Sequence, residues 1–444
     1  MIYWAQLLHF YQPPTQVPSV LGKVCNESYR PLLHVFEEYP SARLTVNFNG
    51  VLTDMLMDCG HKDIVEGFTN LAEMGQIEFT GTGKYHPILP LIPTEEVKRQ
   101  ISLNTQTNRH FFGRSYTPQG FFPPEMCYSQ HILQPIVNSG CRWIILSGIA
   151  CPADWPVDII YRAECDGQGI AVFFRDDVLS NRISFRNVEA PEFIAHLERW
   201  QGKRESIYVV TAMDAETYGH HIQGWERTFL AKVYAELELP AESPEEFEQA
   251  TVLAGQHVSL LTNGEAATKI QMVTISQLLD LFPQGQTIEP RPSSWSTTAD
   301  DIKDGNYYPL WQDRNNEVHR LQWEHLGICV ELVNKALQSA DNEESRRSAA
   351  IARGLLDQAE HSCQMWWASN RPMWDINLIH MGLLDQWRTV VNAYRAINRS
   401  EPVKKQNKNI IVEPSLHGIS ETNSKTSYLR NSSQGEFPLP WAVA

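Results

Sequence analysis

Along the first half of the chain, short apolar or β-branched runs alternate with longer polar stretches compatible with helix. Ile2–Leu8, Arg43–Phe48, Gln76–Thr80, Gln119–Phe122, Arg142–Leu146, Ile170–Phe174 and Ile207–Met213 read as buried strands. Between them, Thr94–Phe111 and Ala190–Trp200 have helical character, the former opening on Thr94-Glu95-Glu96-Val97 behind Pro93. Seven strands separated by helices predict a parallel α/β sheet over 1–283, closed or nearly closed into a barrel. From Pro283 to Thr298 the chain turns rich in Pro, Ser and Thr, which predicts a linker over 284–300. Three stripes at helical spacing then predict a bundle over 301–398: Val318, Leu321, Ile328 and Leu332; Ile351, Leu355, Ala359 and Trp366; Ile379, Leu383, Trp387, Val390 and Tyr394. Residues 399–444, with Lys404-Lys405-Gln406-Asn407-Lys408-Asn409 followed by Ser, Asn, Thr and Gly, have the composition of a disordered tail.

Composition narrows the partners. The 444 residues carry 37 basic and 52 acidic side chains, a net charge of −15, with no Lys/Arg run. Binding to nucleic acid or an anionic membrane is therefore not expected, and a neutral substrate is. No apolar run reaches the length that spans a bilayer, and the N-terminus lacks a basic leader. The eight cysteines show no C-x-x-C spacing and read as reduced thiols. A cytoplasmic protein is the expectation.

In parallel α/β folds, chemistry gathers at the carboxyl ends of strands. Four predicted strands end in polar residues: His9, the run Gly81–His86, Glu125 behind Pro123-Pro124, and Asp214 opening Asp214-Ala215-Glu216-Thr217-Tyr218-Gly219-His220-His221. Two prolines fix φ and remove two donors, ending the fourth strand at a stiff loop that carries Glu125. Glu125 and Asp214 facing one another across a barrel mouth would form the carboxyl pair that glycosidic cleavage requires. Glu216 is placed to raise the Asp214 pKa.

With these residues in view, the chain resembles glycoside hydrolase family 57, whose members include α-amylases, 4-α-glucanotransferases and branching enzymes. Five motifs carry the likeness in the family's order: His9-Phe10-Tyr11-Gln12-Pro13; Gly75–Phe79 running on to Tyr85-His86-Pro87; Gly120–Ser129; Met213–His221; and the Trp-rich run Ala359–Trp367. The resemblance implies an incomplete (β/α)7 barrel followed by a helical bundle contributing to the cleft. It also implies a retaining reaction on α-glucans through a covalent glucosyl-enzyme, with Glu125 as nucleophile and Asp214 as acid/base. Neither a metal nor an organic cofactor takes part in that chemistry. The residues expected to meet sugar or support the acids are His9, Gln12, Glu78, His86, Glu216, His221, Trp225, Trp366, Trp367 and Asp375.

Three departures bear on the subsites. Tyr11 stands where the first motif has a second His, Phe122-Pro123-Pro124 where Trp and smaller residues are usual, and Ser362-Cys363-Gln364 where Ser-Asp-Trp is frequent. Two rival readings follow. A carbohydrate-binding relative without turnover fits the altered motifs, although both acids are present. A metal-dependent polysaccharide deacetylase would need a metal triad, commonly with H-x-x-x-H spacing, and no two of the fifteen histidines lie four apart. Hydrolysis and transfer differ in how well the acceptor site excludes water.

Overall fold

A computed structural model describes residues 1–238 and 270–400. The tail expected over 399–444 lies outside them but for its first two residues.

Ten strands form one sheet: β1 (Ile2–Phe10), β2 (Leu44–Phe48), β3 (Ile77–Gly81), β4 (Gly120–Phe121), β5 (Trp143–Ser147), β6 (Ile160–Cys165), β7 (Gln168–Arg175), β8 (Ile207–Asp214), β9 (Ile270–Val273) and β10 (Gln284–Thr287). The order β8-β1-β2-β3-β4-β5-β7 is parallel throughout and contains all seven predicted strands. This arc is the incomplete barrel. Across the gap, the Asp176 N–H donates to the Val210 carbonyl at 2.8 Å and the Arg175 Nε to that of Ala212 at 2.7 Å.

Three strands were not predicted. β6 pairs antiparallel with β7 through Asp166-Gly167, both at positive φ (49° and 78°), the geometry that suits Asp-Gly to tight hairpins. β9 lies beside the first half of β1, and β10 extends the sheet beyond β6. β10 falls inside the segment 284–300, so that segment carries sheet structure as well as a connection.

The barrel interior is filled by Leu7, Phe122, Trp143, Ile145, Phe173, Tyr208 and Val210, and closed below by Ile275, Leu278 and Phe282. Gly120 makes that filling possible, because a Cβ there would sit 1.9 Å from the Trp143 indole. Filling the lower barrel leaves only its upper end, where the strands terminate, open for a site.

Helices Glu317–Ser339, Glu343–Ala359 and Ile376–Ser400 form the bundle. Their faces differ from the predicted stripes. Leu321 (54% exposed), Ile328, Ile351, Tyr394 and Trp387 (57% exposed) face outward. Of the stripes, Ala359 and Ile379 are buried; the inner faces otherwise carry Leu326, Val333 and Leu356 with many small and polar residues, Cys329, Ala336, Ala349, Ala352, Ala393 and Ala396 beside Gln322 and Gln386. The polar ones are paired, Gln386 donating to the Gln364 side chain (2.7 Å) and Gln322 to the Gln364 carbonyl (2.8 Å). Apolar spacing misassigns a face whose burial is satisfied by hydrogen bonds.

The bundle is fixed to the barrel by buried ion pairs. Arg353 donates to both Glu96 oxygens (2.9 and 2.8 Å) and Arg99 to both of Asp357 (2.6 and 2.7 Å). Next to this network, His361 bridges Pro87 and the Ser362 N–H donates to the His86 carbonyl at 3.0 Å. The Trp-rich run is thereby laid across the barrel mouth. No described helix is long and apolar enough to cross a membrane.

Candidate active site

The register of the sheet sets the site. His9 on β1 lies level with Asp214 on β8 and Asn47 on β2. The His9 Nδ1 donates to Asn47 Oδ1 (2.6 Å), and the Asn47 amide donates on to Thr80 Oγ (2.8 Å). Burial holds His9 neutral, its pKa lowered to about 4, so its Nε2 carries the free lone pair.

β4 is two residues long because Pro123 and Pro124 follow it. The chain then turns through Glu125 at φ 58°, ψ 16° and Met126 at φ 50°, a left-handed pair without glycine. This strained turn aims the Glu125 carboxyl into the barrel mouth. The Trp295 indole donates to Glu125 Oε2 at 2.9 Å, and the Trp295 backbone N–H donates to the Glu125 carbonyl at 3.2 Å. His86 Nδ1 stands 3.7 Å from Glu125 Oε1 and is hydrogen-bonded to Ser362 Oγ at 2.8 Å. Burial keeps His86 neutral too. For Glu125 the larger effect is desolvation, which pushes its pKa up to about 8 against the lowering by the Trp295 bond.

Asp214 ends β8 and faces the same cavity. Its pKa is raised well above the usual range, first by burial, then by the charges of Glu216 and Glu125, with Arg175 opposing. Glu216 is buried and accepts from Gln12 Nε2 (3.0 Å) and the Tyr29 hydroxyl. Burial raises the Glu216 pKa, while these two donors favour its carboxylate.

A cavity of about 230 Å³ lies between the acids, lined by His9, Tyr11, Gln12, His86, Glu125, Asp214, Glu216, His221, Trp295, Cys363, Trp366 and Trp367. A second cavity of about 890 Å³ shares Asp214, His221, Trp295 and Trp366 and extends past Arg175, Asn181 and Arg371. Volumes of this order suit an extended small ligand. Among the described residues, no group of three or more His, Cys, Asp or Glu is arranged to hold a metal ion.

Nine of the twelve expected site residues thus come together: Glu125, Asp214, His9, Gln12, His86, Glu216, His221, Trp366 and Trp367. Three do not. Glu78 lies near the start of β3, at the barrel's lower end, accepting from Thr45 Oγ1 (2.7 Å) and the Ser276 backbone N–H (3.0 Å). Trp225 is fully buried, stacked on Phe229 and donating to the Ile183 carbonyl at 3.1 Å. Asp375 caps the last bundle helix, accepting from the N–H groups of Asn377 (2.9 Å) and Leu378 (3.1 Å). Each is spent on architecture.

The structure adds residues not singled out for the site. Trp295 comes from the Pro/Ser/Thr-rich stretch, and Tyr29 from a π-helical turn. Arg175 ends β7 and places its guanidinium 5.8 Å above the Trp295 ring. Two of the departures from the family motifs also meet. The Tyr11 hydroxyl contacts Cys363 Sγ at 3.4 Å, and the Tyr11 ring stacks on His86 with centroids 3.9 Å apart. Both groups stay neutral, burial pushing Cys363 up to about 12 and Tyr11 well above its ordinary value.

The sequence pattern of glycosyl hydrolase family 57 matches residues 6–284. Alpha-amylase 1 of Dictyoglomus thermophilum is 27% identical over 248 residues, 52% of this chain and 35% of that protein. A 4-alpha-glucanotransferase of Thermococcus litoralis is 26% identical over 238 residues, 50% of this chain and 35% of that protein. These matches span about a third of the length of the curated relatives. The solved 4-alpha-glucanotransferase of T. litoralis superposes with a TM-score of 0.62 at 20% identity, covering 90% of this chain and 60% of that one. A branching enzyme from Thermococcus kodakaraensis gives 0.62 at 15% identity, covering 88% of each chain. These superpositions bear on the fold alone. With the family pattern spanning well over half of its residues, this chain belongs to glycosyl hydrolase family 57.

Proposed function

We propose that this protein cleaves α-1,4-glucosidic bonds in α-glucans with retention of configuration, Glu125 acting as nucleophile and Asp214 as acid/base. One observation carries the reading: two mostly buried carboxyl groups, at the ends of β4 and β8, face one cavity, and burial raises the pKa of both. Once ionised, Glu125 adds a charge that helps hold the proton on Asp214. That is the division of labour a retaining enzyme needs.

In the first step the Glu125 carboxylate attacks the anomeric carbon. The glucosidic C–O bond breaks and the Asp214 proton passes to the departing oxygen. In the second, the Asp214 carboxylate takes a proton from water or from a sugar hydroxyl. The resulting oxygen attacks the anomeric carbon and frees Glu125. Neutral His9 and His86 offer hydrogen bonds to sugar hydroxyls without adding charge beside the nucleophile, and Trp366 offers a flat apolar face.

Incubation with maltoheptaose and amylose, resolving products by length and linkage, tests the proposal. Longer and shorter α-1,4 chains mean transfer, new α-1,6 linkages mean branching, and net growth in reducing ends means hydrolysis. Glu125→Gln and Asp214→Asn should each abolish whichever activity is found. A binding-only relative would give a calorimetric titration with maltoheptaose and no products.

A further inference from the structure

We infer that Trp295 is a positioning residue for the nucleophile, setting both the orientation of Glu125 and the pH at which it becomes a carboxylate. The inference rests on the retaining reading above. It stands on a two-point attachment from outside the segment that matches the family pattern, which ends at residue 284. The Trp295 indole N–H donates to Glu125 Oε2 at 2.9 Å, while its backbone N–H donates to the Glu125 carbonyl at 3.2 Å. The second bond holds the left-handed peptide at Glu125, and the first fixes the carboxyl rotamer. Tyr128 and Ser293 brace the approach from both sides, the Tyr128 N–H donating to the Ser293 carbonyl at 2.9 Å and the Ser293 N–H returning at 3.3 Å.

The indole is itself held in place. His9 meets it edge-on with centroids 6.2 Å apart, Phe122 at 5.9 Å, and Arg175 lies over its face. Among the described residues, the indole is the one side-chain donor within hydrogen-bond distance of Glu125; His86 Nδ1, at 3.7 Å, is turned to Ser362. A donor to a charged acceptor favours the ionised form, and this one opposes the effect of burial.

Trp295→Phe keeps an aromatic ring and the backbone N–H donor and removes the indole N–H with the pyrrole half of the ring. The acid limb of its kcat/KM profile on maltoheptaose should move to higher pH by about one unit, the size of a hydrogen bond to a charged group. The variant should thus lose roughly tenfold below the wild-type midpoint and recover in alkaline solution. A second readout needs no turnover. Carboxyl-13C glutamate labelling, with the Glu125 signal assigned by its disappearance in Glu125→Gln, should report the same upward shift in the free protein. An unmoved Glu125 midpoint in Trp295→Phe would overturn the inference, as would an activity loss equal at every pH. If the wild type turns over no α-glucan while the Glu125 signal still shifts, the retaining reading fails and the control of Glu125 by Trp295 stands.

Discussion

At the residue scale, the proposed chemistry depends on two carboxyl groups kept neutral longer than usual. Burial pushes the Glu125 pKa up to about 8, so kcat/KM should rise with pH towards that value, and its alkaline limb should follow the loss of the proton that burial and neighbouring charges hold on Asp214. Folding linkage has the matching sign. The folded protein binds more protons than the unfolded chain between the ordinary glutamate value of 4.5 and about 8, so this group makes stability fall as pH rises through that window. Thermal melts of Glu125→Gln should show no gain over wild type at pH 4 and a gain that grows to a plateau above pH 8. Gln12 and Tyr29 oppose the burial that raises the Glu216 pKa, and the charge of Glu216 raises Asp214. Glu216→Gln should therefore move the alkaline limb of kcat/KM to lower pH; a limb that stays put would leave Glu216 a purely structural role. The two acids were legible because each follows an apolar strand in a short, distinctive run. Trp295 was not, because its contact with Glu125 crosses 170 positions and its own segment has no periodicity.

At the element scale, Glu78 shows what strand position decides. A carboxylate one residue into β3 is at the lower end of a barrel whose chemistry is at the upper end. It ties β2 and β3 to the helix Ile275–Leu281, which seals the floor. Glu78→Ala leaves the Ser276 N–H and the Thr45 hydroxyl without their acceptor and should cost about 1–3 kcal/mol in urea denaturation. KM and kcat on maltoheptaose should change less than twofold, roughly the spread seen for sites remote from chemistry. Strands of high β-propensity were legible from periodicity, and β6 could have been found from its Asp-Gly turn. β10, Gln-Gly-Gln-Thr, has no apolar pattern and pairs because β6 offers it an edge. The bundle faces were misread for a related reason: alanines and hydrogen-bonded glutamines were buried while Trp387 was left outside.

At the scale of the whole molecule, the candidate site is lined from both the barrel and the helical region that follows it. The barrel supplies His9, His86, Glu125 and Asp214, and the bundle side supplies Ser362, Cys363, Trp366 and Trp367. The Glu96–Arg353–Asp357–Arg99 network is the buried joint between them. Removing one partner strands buried charge, so Arg353→Met should destabilise by about 3–5 kcal/mol. Ser362 would then hold His86 less firmly, and kcat should fall further than binding of maltoheptaose does. Equal losses in both would contradict that coupling.

In the proposed mechanism Glu125 becomes covalently glycosylated. Incubating the protein with 5-fluoro-α-glucosyl fluoride and mapping peptides by mass spectrometry tests it most directly. Fluoride should be released and one sugar adduct should appear on the peptide that carries Glu125, absent from Glu125→Gln. An adduct on Asp214 or Glu216 instead, or turnover of maltoheptaose with inverted configuration and no adduct, would contradict it.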